Sequence, residues 1–312
     1  MIDTQKVQLL QKAYQNRDLF MMESFCEAVF RELNTDQTYR SALMLSANNI
    51  KHLLKIPSLK AEAIILNLED GVAKEEKPFA LVLCAFILTQ LKKCNKKLIV
   101  RVNSLDTSGY DEIAYLNQYM PDAIRVPKIG TKEEVESVLA LLHDDVELHL
   151  SIETKEAWHN LKELKVHKRV KAFYLGILDL FADMKLPQSL IEPKNPTLQY
   201  ILSEFLITTK AMDVKPVGFV YQDYKNENGF LEWLELEKQM GYTAKGCLSP
   251  SQVEILHQVY GIDPYEIQRA KEIVALFEKE NKKGVSGFVH EEYGFIDEPI
   301  YKGALALLEG LK

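Results

Sequence analysis

The predicted fold class is α/β, a (β/α)8 TIM barrel with an N-terminal helical extension and a C-terminal helix plus flap. Three observations predict it. Short β-like runs alternate with helical segments eight times along the chain, the rhythm of a parallel sheet whose connections cross over through helices. Within residues 146–180 two such runs are joined by a short helical connector, the pattern of consecutive parallel strands. The chain has 312 residues, 47% of them hydrophobic, whereas one barrel typically needs about 250 residues, which leaves room for helices at both ends. The expected divisions are a helical extension over 1–38, the barrel over 39–262, and the C-terminal helix and flap over 263–312.

Taken in order, residues 5–34 read as a pair of short helices. Val7, Leu10 and Tyr14 share one face, and Met22, Phe25, Cys26, Val29 and Leu33 another. SALMLS (41–46) is the first strand, followed by ANN and a helix through Leu54. The second strand is 64–68, and Glu69-Asp70-Gly71 turns out of it. Phe79, Val82, Leu83, Phe86, Ile87 and Leu91 then recur at helical spacing, with Lys92, Lys93, Lys96 and Lys97 clustered near the helix end. KLIVRVN (97–103) is the third strand and carries Arg101 near its C-terminal end. DAIRVPK (122–128) is the fourth, and a helix over 131–143 follows. The fifth and sixth strands are 146–152 and 170–175. A helix over 196–212 precedes KPVGFVYQ (215–222) and YTAKGCLS (242–249), the last two strands of the barrel, and Pro250 opens the next helix. Asp263-Pro264-Tyr265-Glu266 starts a further helix with Ile267, Ala270, Val274 and Phe277 on its apolar face. From Gly284 the tail mixes glycines, acids and aromatics, which predicts an ordered flap and a short final helix.

Composition excludes several classes of partner. A formal charge of −7 argues against a nucleic-acid binder. The longest apolar run, 79–88, falls short of the ~18 residues needed to cross a membrane. The opening residues mix charged and polar side chains, and no secretory signal is read there. Cys26, Cys84, Cys94 and Cys247 form no CxxC pair, which predicts reduced thiols and a cytoplasmic location.

The chemistry concentrates where two strands end. Glu153 follows the last apolar residue of the fifth strand, and Gly176 ends the sixth three residues before Asp179. Both carboxylates then lie beyond strand C-termini, the edge at which barrels bind substrates. Two convergent carboxylates suit a hard cation such as Mg²⁺, with positions left for water and substrate oxygens. The alternative is that Glu153 caps the following helix and Asp179 satisfies loop amides.

The ordered set of motifs resembles the citrate lyase beta-subunit-like family of CoA-ester lyases, the relatives of malyl-CoA and citramalyl-CoA lyases. Arg40-Ser41-Ala42-Leu43, LEDGV (68–72), VRVN (100–103), PK (127–128), IET (152–154), GxxDL (176–180) and PSQVEI (250–255) carry the likeness, which covers roughly residues 40–312. It implies Mg²⁺ as cofactor, ligated by Glu153 and Asp179, and Arg101 as the charge stabiliser beside an acyl thioester. Glu69 and Asp70 would orient Arg101, while Arg40, Asn48, Pro127 and Lys128 would contact substrate or CoA. The implied partners are a CoA thioester with a 2-ketoacid or hydroxyacid, in a homo-oligomer, a trimer or hexamer. The resemblance places the acid–base group in the C-terminal flap, at Glu292, with Glu291 and Asp297 as alternatives upstream of or within the landmark Phe295-Ile296-Asp297-Glu298-Pro299. Ser46, Ala47, Asn67, Leu202, Gly218 and Ser249 differ from the family pattern, in the loops around substrate and CoA. The expected reaction is cleavage or formation of a β-hydroxyacyl-CoA. A class II-type aldolase acting on a non-CoA keto acid and a non-catalytic barrel subunit are the competing readings.

Overall fold

The structure is a computed structural model describing residues 3–28, 32–35, 37–261 and 263–309. Eight parallel strands form one sheet: β1 Ser41–Ser46, β2 Ala63–Asn67, β3 Lys97–Arg101, β4 Ala123–Val126, β5 Glu147–Ile152, β6 Val170–Leu175, β7 Lys215–Val217 and β8 Lys245–Cys247. Their spatial order is β7-β6-β5-β4-β3-β2-β1-β8. A parallel bridge between Gly218 and Lys245 joins the two ends of this sheet. Gly218 N donates to Ala244 O at 2.9 Å and Gly246 N to Gly218 O at 3.3 Å, so the sheet curls into a barrel. The strands β7 and β8 are shorter than the sequence runs 215–222 and 242–249. A Cβ on Gly218 would stand 2.8 Å from a carboxylate oxygen of Glu237.

Both faces of the strands are buried, as a barrel wrapped in helices requires. Leu148, Leu150 and Ile152 pack outward with Leu98, Val100, Ile124 and Val126 against the surrounding helices. The alternating set points inward: Ala63, Ile65, Ile99, Ala123, Ala172, Tyr174 and Val217 fill the interior with Tyr39. On β5 the inward positions are polar, Glu147, His149 and Ser151, and all three are buried. Period-two polarity here marks the barrel interior rather than a wet face.

Two compact units divide the chain, Met1–Tyr260 and Gly261–Lys312. In the second, a hairpin of β9 Gly287–His290 and β10 Gly294–Asp297 belongs with the helices Pro264–Asn281 and Glu298–Glu309. Ala270, Ile273, Phe277, Ile296 and Ala304 form its core, and Phe277 stacks on Tyr301 at 4.5 Å. No helix among the described residues is long and apolar enough to cross a membrane.

Two local expectations need correcting. The N-terminal helices run Thr4–Gln15 and Leu19–Glu23, each started by an aspartate side chain, Asp3 and Asp18, and the second ends at Glu23. Phe25, Cys26 and Leu33 pack partly buried on the barrel's helical layer without being helical; Val29 lies outside the described residues. Lys96 and Lys97 do not decorate a helix end. The helix stops at Gln90, Lys96 Nζ donates to Ala61 O at 3.1 Å, and Lys97 turns into the barrel to meet Glu147 at 2.8 Å.

That inner cluster makes stability depend on acid. His149 Nε2 lies 3.1 Å from Glu147. Burial acts to raise the Glu147 pKa, but His149 and Lys97 outweigh it and hold the carboxyl at about 2. A depressed carboxyl stabilises the fold above its unfolded value, near 4.3, and loses that contribution as pH falls towards 2. Urea unfolding between pH 5 and pH 2 should therefore show stability falling with acid, and Glu147→Gln should remove the part of that fall that the carboxyl contributes.

Candidate active site at the strand C-termini

The C-terminal ends of β2 to β6 bring the predicted acidic and basic residues together. Arg101 closes β3, in register with Asn67 on β2 and Arg125 on β4. It forms ion pairs with Glu69 and, at 3.2 Å, with Asp70. Glu69 is buried and Asp70 exposed, so the arginine is gripped from within and from the rim. The grip is incomplete: among the described residues Arg101 Nε has no acceptor, and Glu69 Oε2 accepts no well-aligned hydrogen bond although it touches the guanidinium.

Glu153 stands one residue beyond β5, 4% exposed. Its Oε1 accepts the Lys128 backbone N–H at 3.0 Å. Lys128 adopts φ 55°, a left-handed conformation uncommon for a lysine, and this turn after Pro127 aims the N–H at the carboxylate. The Lys128 ammonium lies 3.7 Å from Glu69. Gly176 backs Glu153 on the other side: a Cβ there would fall 2.5 Å from Glu153 Cβ and 2.7 Å from Oε2. Glu153 does not cap the next helix, because Thr154 does so, accepting Ala157 N at 3.1 Å. Asp179, exposed in the first turn of Ile177–Asp183, accepts no hydrogen bond among the described residues.

Charge is crowded here. Burial, with Glu153 and Asp70 nearby, raises Glu69 to about 7 against the pull of Arg101 and Lys128. Burial also raises Glu153, and Asp179 adds to the effect while Arg125 and Arg101 oppose it. Burial disfavours the charge on Lys128, but Glu69, Glu153, Asp70 and Asp179 outweigh it and hold the ammonium.

Arg125 has no counterpart among the predicted site residues. It is 4% exposed, donates from Nε to Ser151 at 2.9 Å and lies over the Tyr174 ring at 4.1 Å. Its Nη1 is buried without an acceptor among the described residues. Burial and Arg101 lower its pKa to about 10, against Tyr174, Glu153 and Glu69. The signal that could have found it is an arginine at an inward position of a strand that is otherwise apolar.

Not every predicted contact residue joins this edge. Asn48 follows β1 at the same end of the barrel, half-buried and accepting Ser46 Oγ at 2.7 Å. Arg40 precedes β1 and so sits at the opposite end, where its Nε donates to Glu62 at 3.0 Å. Since all strands run in one direction, a residue before the first strand cannot reach the C-terminal edge. In the second unit, Glu291 and Glu292 are exposed at the hairpin turn, with Glu292 N donating to His290 Nδ1 at 3.3 Å. Asp297 accepts Ile300 N at 3.2 Å, at the start of the last helix.

The donor set suits a hard divalent cation. Glu153 accepts one hydrogen bond from the protein and Asp179 none among the described residues, both offer oxygen ligands, and repulsion between carboxylates in this cluster is what a bound cation relieves. Among the described residues no three acidic, histidine or cysteine side chains converge in a ready-made cage, so other positions would fall to water and substrate oxygens.

Comparison with known proteins agrees with this architecture. The CitE protein of Mycobacterium tuberculosis, solved with magnesium, acetoacetate and coenzyme A, shares the fold with a TM-score of 0.70 at 19% identity, over 87% of this chain and 97% of that one. A (3S)-malyl-CoA thioesterase of Cereibacter sphaeroides is 31% identical over 79% of this chain and 85% of its own length. The mitochondrial citramalyl-CoA lyase of Rattus norvegicus is 26% identical over 91% of this chain and 90% of its own. The family model for HpcH/HpaI aldolase/citrate lyase matches residues 40–250. With its β2-to-β6 motifs and most of its length accounted for in this way, the chain belongs to the HpcH/HpaI aldolase/citrate lyase family.

Proposed function

We propose that this chain is a Mg²⁺-dependent carbon–carbon lyase acting on a β-hydroxyacyl-CoA of the malyl-, citramalyl- or citryl-CoA type. The observation that carries this reading is the pairing of a buried arginine, Arg101, with a carboxylate edge that retains free oxygen donors at Glu153 and Asp179. Glu153 and Asp179 would hold the cation. Bound there, Mg²⁺ supplies a Lewis acid for the oxygens of the 2-hydroxy acid.

The protein's own groups divide the remaining work. Glu69 and Asp70 hold Arg101 forward, and the guanidinium faces the thioester oxygen. As the carbon–carbon bond breaks, its electron pair moves onto the acyl-CoA fragment as an enolate, and a fixed positive charge stabilises that oxygen by about 3 kcal/mol. A base takes the substrate hydroxyl proton, a 2-ketoacid leaves, and the enolate takes up one proton at carbon to become the acyl-CoA. We assign that base to Glu292 of a neighbouring copy in an oligomer; mixing Glu153→Gln and Glu292→Gln subunits should then restore activity through mixed sites. A fully active Glu292→Gln variant would remove it from the mechanism.

Thioester hydrolysis is the second reading, favoured by the identity to malyl-CoA thioesterases. Malyl-CoA and citramalyl-CoA incubated with protein and Mg²⁺ separate the two. Lysis releases ketoacid and acyl-CoA with no free thiol, whereas hydrolysis releases the CoA thiol without ketoacid. Neither product from these two thioesters or from citryl-CoA would refute the lyase proposal.

Gly176 offers a check on the site's geometry. Gly176→Ala keeps an allowed backbone, φ −94°, but forces Glu153 aside. The expected cost is about 1–3 kcal/mol of stability, together with at least tenfold weaker Mg²⁺ binding by calorimetry. Unchanged binding would mean that Glu153 is not held where the proposal needs it.

A further inference from the structure

Beneath Glu153 lies a charge that the lyase chemistry above does not use. Arg125 rises from β4 at the level of Arg101 and His149, and its Nε reaches Ser151. Ser151 is two residues before Glu153 on the same inward face, so the guanidinium occupies the layer directly under that carboxylate. Three of the buried polar atoms without hydrogen-bond partners gather in this part of the barrel: Glu69 Oε2, Arg101 Nε and Arg125 Nη1. A buried guanidinium that lacks a carboxylate partner is costly for a scaffold to keep. A neutral side chain would fill the same space against Tyr174 at less cost.

The formal charges give it a purpose. Glu69, Asp70, Glu153 and Asp179 act on one another and on Arg101, Arg125 and Lys128. A divalent cation at this edge would hold all four carboxylates ionised against the burial that raises Glu69 and Glu153, and against three cations they then give this layer −1. The divalent cation itself makes it +1, and without Arg125 the loaded site would be neutral. We propose that Arg125 is a positioning residue that, from beneath Glu153 and Arg101, keeps the cation-loaded site net positive and so selects an anionic keto acid. It acts through the field it adds and through the Arg101 it repels towards Glu69 and Asp70, not by touching substrate. This role rests on the metal-lyase reading.

The two duties of the site respond with opposite sign. A positive charge under the carboxylates opposes Mg²⁺ and favours an anion, whereas a residue that merely supports the site would help both. Calorimetry with Mg²⁺ alone, then with pyruvate and with oxaloacetate in saturating Mg²⁺, reads both. For Arg125→Met we expect Mg²⁺ binding unchanged or several-fold tighter and keto-acid binding weaker by on the order of tenfold. Arg125→Lys, which keeps the charge but loses the planar contacts to Ser151 and Tyr174, should recover most of the keto-acid affinity. Should circular dichroism show that Arg125→Met does not fold, Arg125→Gln carries the same expectation. Loss of both affinities, unchanged keto-acid binding, or no recovery with lysine each overturns the proposal. A parent protein that binds Mg²⁺ but neither keto acid overturns it too, while a parent that takes up no Mg²⁺ overturns the lyase reading itself.

Discussion

Glu153→Gln removes Mg²⁺ binding and leaves the fold in place. Glutamine has the same length, and its Oε1 can still accept the Lys128 N–H that now reaches Glu153 at 3.0 Å. What disappears is the negative charge, and with it a ligand. The loss in affinity should exceed the roughly 10–100-fold seen when only a ligand's hydrogen-bonding partner is removed. Stability should move the other way, if at all. Burial raises the Glu153 carboxyl above its ordinary value, with Asp179 adding to it and Arg125 and Arg101 opposing, so neutralising it removes the cost of a buried charge. A melting curve without metal should sit at or above that of the parent, and calorimetric titration with Mg²⁺ should be flat. Asp179→Asn should repeat the binding result with no change in melting, because Asp179 is exposed and holds no other group in place. Parent-like titration by both variants would remove the metal from this edge.

The barrel was legible because its strands carry their own signal. Each reads as a short apolar run followed by turn residues, and parallel order follows from the helices between them. The site was legible to the extent that it sits where strands stop: Glu153, Asp179 and Arg101 are each located by the end of a run. What escaped depends on which inward residue meets which. Arg125 lies inside DAIRVPK, and nothing in that run says that its guanidinium reaches Ser151 on the next strand. The turn at Lys128 and the close approach of Gly176 to Glu153 arise from backbone geometry that spacing does not encode. Arg40 was misplaced for a different reason, since motif likeness grouped it with the site without regard to strand polarity. The second of the two N-terminal helices was drawn too long because Phe25 and Cys26 have helical spacing, yet they bury themselves from non-helical chain.

Arg101→Lys is the second large effect, and it separates chemistry from binding. Lysine keeps one positive charge but presents a point ammonium instead of a planar fork. The native guanidinium meets Glu69 and Asp70 together and, in the proposed reaction, must also face the enolate oxygen. An ammonium drawn to buried Glu69 leaves that third direction empty. Losing a fixed donor to a developing oxyanion costs about 3 kcal/mol, or roughly 100-fold in kcat. The ground state does not use this contact, so KM for the thioester should change little, and kcat and kcat/KM should fall together. Mg²⁺ affinity should stay close to that of the parent, because the net charge beside Glu153 is unchanged. Steady-state kinetics at saturating Mg²⁺, with a metal titration alongside, checks both halves. Parent-like turnover would reduce Arg101 to the structural partner of Glu69. A fall in metal affinity as large as the fall in kcat would mean instead that the arginine holds the carboxylate edge together, and the enolate would need another stabiliser.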